Sequence, residues 1–277
     1  MNKSLDAIAQ KFDTPLSKEI ISRWNPSIRA EDDEKDNVIN IYKRIGNSFF
    51  EEGITAEDIN EQLEAADGQD IVVNINSGGG SFFEGLAIYS LLSKYDGDVT
   101  VRVIGIAASA ASIIAMAGDT VEMGEGTFMM IHNAWVMAIG NQFELVDIAQ
   151  DLKKFDKSAS KIYKAKTGLD IEEINEMMKE ETWLEADEAI ESGFADKLMK
   201  DEGVTESVDD VETSLYNSNL RMVDYALAKS GLSRKERREM IKSLTSGTPS
   251  AAQSHEKTKP SAGLVEALKG LSETLKT

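Results

Sequence analysis

The sequence predicts an α/β protein built on a mostly parallel sheet with helices packed against it. Two observations carry this expectation. Residues 70–76 and 99–104 are short runs rich in Val and Ile with few polar interruptions, the pattern of strands buried on both faces. Between and around them lie stretches with helical start and stop signals. Strand and helix therefore alternate, and alternation of this kind builds parallel sheets through crossover connections.

Taken in order, residues 1–36 are polar and end in the charge run 31–36, which reads as a flexible arm with one helical turn near residues 16–24. Residues 38–42 form the first strand, and Thr55 caps the helix that follows. The strand at 70–76 ends in Ser77-Gly78-Gly79-Gly80-Ser81, and the next helix carries Leu86, Ile88, Leu91 and Leu92. The strand at 99–104 runs into a helix rich in Ala and Ser. Short strands at 120–123 and 127–131 are parted by a turn at Gly124-Glu125-Gly126. A long helix covers Glu144 to about Lys166 and stops at Gly168, a residue that accepts the left-handed conformation at a helix end.

The folded core is thus 37–199. An acidic stretch and a short basic helix, opened by the capping box at Ser233 and Glu236, occupy 200–244. Residues 245–277 read as a linker and a terminal amphipathic helix with Leu264, Leu268, Leu271 and Leu275 on one stripe. There is no internal repeat.

Composition narrows the function. A net charge of −19 over 277 residues argues against general nucleic-acid binding, since a phosphate backbone would be repelled. The absence of Cys removes disulfides, thiolate metal sites and a cysteine nucleophile, and fits a cytoplasmic protein. The amino terminus lacks the apolar core of a secretory signal. The most apolar run, 103–118, is too short to span a bilayer and reads as buried, so no membrane association is expected. The glycine run is followed by no Lys and does not match G-x-G-x-x-G, so no nucleotide site is expected, and no cofactor or metal either.

The candidate chemistry gathers on three segments. His255 lies in the linker, so a mechanism needing a folded imidazole must use His132. Ser109 stands where a buried strand runs through Gly105 and a group of alanines into a helix. There, free N–H groups and the helix dipole favour developing negative charge. By itself this is equally an ordinary N-cap serine. The turn at Ser77-Gly78-Gly79-Gly80 can expose N–H groups as an anion-binding nest, and equally it can be only a tight turn.

Together, Ile75-Asn76-Ser77-Gly78-Gly79-Gly80, Gly105-Ile106-Ala107-Ala108-Ser109 and Met130-Ile131-His132-Asn133 resemble the ordered motifs of the Clp protease proteolytic subunit family (ClpP). The similarity covers roughly residues 39–198. The resemblance implies a ClpP/crotonase-like fold with a protruding handle helix, and a serine endopeptidase with no cofactor. Ser109 would be the nucleophile, His132 the base, and the N–H groups of Gly80 and Ala110 the oxyanion hole. It also implies a ring-shaped homo-oligomer paired through the long helix, and protein or peptide substrates.

Two positions depart from the family pattern. Glu181 aligns with the family's acidic triad member, an Asp; Glu180 is the fallback, and a Ser–His pair leaning on water is a third arrangement. Gly78 stands where the family commonly has Pro. The stretches at 46–50 and 81–85 are more similar to the ClpP-like proteases of tailed bacteriophages, which implies head maturation by cleavage of scaffold and capsid proteins, and of the chain itself. The alternatives are a proteolytic subunit working with a separate ATPase unfoldase, and a catalytically inactive scaffold.

Overall fold

The computed structural model describes residues 16–30, 37–48, 52–136, 138–199 and 204–206, and the single positions Val223, Leu227 and Met240. The chain divides into two units, Met1–Tyr225 and Ala226–Thr277. In the second unit the described positions are Leu227 and Met240, both helical. The capping box at Ser233, the linker and the terminal Leu stripe lie outside the described residues.

The first unit is an α/β layer structure, as the alternation predicts. Strands β2 (Val38–Ile41), β3 (Ile71–Ser77), β4 (Val99–Ala108) and β5 (Thr120–Met123) lie side by side and parallel, with β8 (Lys197–Leu198) beyond β5. Helices α2 (Ala56–Ala66), α3 (Phe82–Leu92) and α4 (Ala110–Ala115) connect these strands in turn. The β-branched strand runs supply the core: Val73, Ile75, Val101, Val103 and Val121 are fully buried, and Ile59 and Ile88 cover them from the helices. Local chemistry sets the helix ends. Thr55 and Asp58 form a reciprocal capping box, and Gly168 closes the long helix α5 (Gln142–Thr167) at φ +74°.

Strand β4 is longer than its sequence pattern indicates and serves two partners. Its first half pairs with β5, and its second half pairs with β6 (Phe128–Ile131). Strand β6 in turn pairs antiparallel with β7 (Thr182–Glu185), which follows helix α6 (Ile171–Lys179) and leads into α7 (Ala186–Glu191). The second half of β4 is freed by a shift of register. Ile75 faces Val103 but Ser77 faces Ala107, so two extra residues of β4 are taken up beside Asn76. The Asn76 side chain fills the irregularity by accepting from the Ile106 N–H, and Gly105 leaves it room, since a Cβ there would lie 2.4 Å from Oδ1.

The helical turn expected near residues 16–24 is present, but residues 16–30 pack against the sheet rather than forming a free arm. Helix α1 (Lys18–Arg23), capped by Ser17, buries Leu16, Ile20, Ile21 and Trp24 against Ile106, Ala108 and Met130. Strand β1 (Ile28–Ala30) pairs antiparallel with β9 (Val204–Glu206), a piece of the expected acidic stretch. The reason is the spacing Leu16, Ile20, Trp24, an i, i+4, i+8 apolar stripe that the short helix and its two flanks present to one surface. Among the described residues no helix is long and apolar enough to cross a membrane.

Candidate active site

Ser109 sits at the junction of β4 and α4 with φ 56° and ψ −122°, a left-handed backbone that a non-glycine residue adopts at a cost of about 1–3 kcal/mol. It occupies the N-cap position of α4, yet its side chain caps nothing. Instead, Ser109 Oγ lies 2.8 Å from His132 Nε2. This contact separates it from an ordinary N-cap serine.

Several bonds hold the sharp turn. The Ser109 N–H donates to the Met130 carbonyl (2.9 Å), tying the serine to β6 two residues before His132. The Ser112 hydroxyl donates to the Ser109 carbonyl (2.6 Å) and meets the Tyr163 hydroxyl of α5 at 2.8 Å. Helix α3 approaches α4 through Gly85, where a Cβ would stand 3.0 Å from that of Ala110.

His132 emerges from the end of β6, with its side chain only 10% exposed. The chain beyond it is anchored twice: Asn133 N–H donates to the Met178 carbonyl, and Ala134 N–H to Asp156 Oδ1 at 2.7 Å. Burial lowers the imidazole from 6.5 to about 4, so at neutral pH it is uncharged and can accept a proton. At this distance a neutral imidazole with a free Nε2 lone pair is placed to take the Ser109 hydroxyl proton.

Glu181 approaches from the other side, its Oε2 3.9 Å from His132 Nδ1, within ion-pair range but longer than a hydrogen bond. Its backbone is also left-handed, at φ 53°. Burial, then the neighbouring Glu19 carboxylate, raises its pKa above the ordinary Glu value. A hydrogen bond from Trp183 and the Arg23 cation act in the opposite direction. Glu180, the fallback acid, is exposed.

The glycine turn lies against the serine. Ile45 bridges it, donating to the Gly79 carbonyl and accepting from Ser81 N–H, both at 2.9 Å. In this parallel bridge the N–H of Gly80, between the two, points away from Ile45. Gly79 is packed so closely against the nucleophile segment that a Cβ would fall 2.5 Å from the Ala108 carbonyl oxygen and 2.8 Å from Ser109 Cβ. Gly80, Ser109, Ala110 and His132 line one cleft, whose remaining wall is apolar and includes Phe82, Ile113 and Phe155. The cleft thus holds a hydroxyl and a proton acceptor side by side, next to the backbone of Gly80 and Ala110. Among the described residues no group of three or more His, Asp or Glu side chains could hold a metal ion.

All five residues singled out in the sequence therefore meet in one place, with Glu181 the loosest member. Sequence reasoning missed the contribution of Leu16 and Ile20, which line the same cleft. Their i, i+4 spacing was the available signal.

The Clp protease family model matches residues 35–202. The chain is 36% identical over 141 residues to the ATP-dependent Clp protease proteolytic subunit of Ligilactobacillus salivarius, covering 50% of this chain and 72% of that protein. It is 33% identical to proteolytic subunit 3 of Rhodococcus jostii (50% and 69% covered) and 33% identical to the subunit of Streptococcus mutans (50% and 73%). The matching segment spans the glycine turn, the serine junction and the histidine strand, and the chain belongs to the Clp protease family.

Proposed function

We propose that this chain is a serine endopeptidase in which Ser109 is the nucleophile, His132 the general base and Glu181 the acid that orients the imidazole. The observation that carries this reading is the 2.8 Å contact between Ser109 Oγ and His132 Nε2 at a strained strand-to-helix junction. His132 takes the hydroxyl proton as Oγ bonds to the scissile carbonyl carbon. The N–H groups of Gly80 and Ala110 stabilise the resulting oxyanion. The imidazolium then gives its proton to the departing amine, and water, activated by the same imidazole, hydrolyses the acyl-serine. The 3.9 Å gap to Glu181 closes by a side-chain rotation once His132 becomes charged and attracts the carboxylate.

Fluorophosphonate labelling tests the assignment. Wild type should label, and Ser109→Ala and His132→Ala should not; labelling that survives Ser109→Ala refutes the nucleophile. Glu181→Gln should lower kcat by about 10²-fold or more, as loss of the orienting acid does in triads, whereas Glu180→Gln should not.

The relatives, ATP-dependent Clp proteolytic subunits, favour work as a proteolytic subunit beside a separate ATPase over processing of viral shell proteins. A ring-shaped homo-oligomer paired through α5 fits the same reading. Ile139, Phe143 and Val146, at and before the start of α5, are more than half exposed in the single chain, an apolar surface that a second copy would cover.

A further inference from the structure

We propose that helix α1 is part of the catalytic apparatus: it fixes the glycine turn that presents the Gly80 N–H, with Trp24 and Ile20 as positioning residues. The proposal rests on the serine-peptidase reading above. An oxyanion donor is effective only if it is held in place before the reaction, whereas consecutive glycines have more backbone freedom than any other residues. Residues 78–80 are three such glycines, two of them at positive φ (+85° and +150°). Something outside the turn must restrain them.

On one side that restraint is Ile45, bonded to Gly79 and Ser81. On the other it is α1. Gly78 is covered so closely that a Cβ would lie 2.5 Å from Ile20 Cγ2, 3.0 Å from Leu16 Cδ1 and 3.2 Å from Trp24 Cε3. Two residues earlier, the Trp24 indole N–H donates to the buried Asn76 carbonyl (3.0 Å), and Asn76 Nδ2 donates to the Asn25 carbonyl (2.7 Å). Since Asn76 Oδ1 also accepts from Ile106, one side chain joins the segment after α1 to the strand that ends at Ser109. The helix touches the acid's strand as well, with the Arg23 guanidinium 4.6 Å from the centre of the Trp183 ring. Thus α1 contacts the base of the glycine turn, the strand leading to the nucleophile and the residue beside Glu181, while Leu16 and Ile20 form part of the cleft wall.

The test is steady-state kinetics on a fluorogenic peptide, normalised to folded protein by circular dichroism. Trp24→Phe keeps an aromatic side chain but deletes the indole N–H, its bond to the Asn76 carbonyl and part of the ring's packing surface. Its kcat should fall about tenfold with KM within about twofold, a fraction of the 10²–10³ that loss of a whole oxyanion donor costs. Gly78→Ala should fall further. Adding Ile20→Ala, which removes the methyl that the new Cβ meets, should recover at least about fivefold of that loss. Ser22→Ala, on the exposed face of α1, should match wild type. Wild-type kcat in Trp24→Phe, or a double variant no better than Gly78→Ala alone, overturns the proposal. Ser109→Ala run in parallel separates the two readings: residual turnover there defeats the peptidase assignment itself, whereas full dependence on Ser109 with an unaffected Trp24→Phe defeats only the role of α1.

Discussion

His132 couples the chemistry of the site to its stability, and pH is the perturbation that reads both. Burial lowers its pKa from 6.5 to about 4, with no other cause of comparable size despite the Glu181 carboxylate 3.9 Å away. At about 1.4 kcal/mol per pKa unit, the interval between 6.5 and about 4 corresponds to about 3 kcal/mol. The sign follows from linkage. Above pH 6.5 the imidazole is neutral in both folded and unfolded chains and contributes nothing. As pH falls through 6.5 the unfolded chain takes up a proton that the folded site refuses, so stability declines until the folded pKa, about 4, is reached. Urea unfolding of Ser109→Ala, chosen to prevent self-cleavage, should therefore lose up to about 3 kcal/mol more between neutral pH and pH 4 than the same protein carrying His132→Asn. Activity should show the complementary behaviour. At about pH 5.5 an imidazole with a pKa of 4 is about 97% neutral, against about 9% for one at 6.5, so kcat/KM should be nearly unchanged rather than fall about tenfold. Parallel loss of stability in the two proteins, or an acid limb of kcat/KM centred near 6.5, would refute the claim that burial dominates this histidine.

Two further outcomes follow from the packing around the nucleophile. Gly79→Ala places a methyl 2.5 Å from the Ala108 carbonyl oxygen at a φ of +85°, which must push the turn away from Ser109; kcat/KM should drop about 10²-fold while circular dichroism stays that of a folded protein. Ser112→Ala removes the 2.6 Å bond to the Ser109 carbonyl and leaves the buried Tyr163 hydroxyl without its 2.8 Å partner, so urea unfolding should show a loss of about 1–3 kcal/mol. An unchanged unfolding midpoint would show that these bonds carry no weight.

The layer architecture was legible because its causes are local. Short Val- and Ile-rich runs such as 70–76 and 99–104 favour strands, Thr55 and Gly168 mark helix ends by their own side-chain and backbone chemistry, and parallel strands require crossovers between them. Ser109 and His132 are different: each segment alone is equally an ordinary N-cap serine or a structural histidine, and their pairing was suggested by the resemblance of three ordered motifs to one family. What sequence could not decide depends on contacts between distant segments. The fork of β4 between β5 and β6 follows from the Asn76 side chain filling a register shift opposite Gly105, a pairing across 30 residues. Glu181 lies 3.9 Å from His132 with Trp183 and, from α1, Glu19 and Arg23 acting on its carboxyl, neighbours far from it in sequence. The docking of α1 was hidden most deeply. Six helical residues have little intrinsic stability, and only the surface formed by Gly78, Ile106, Ala108 and Met130 turns their apolar stripe from an exposed arm into a wall of the cleft.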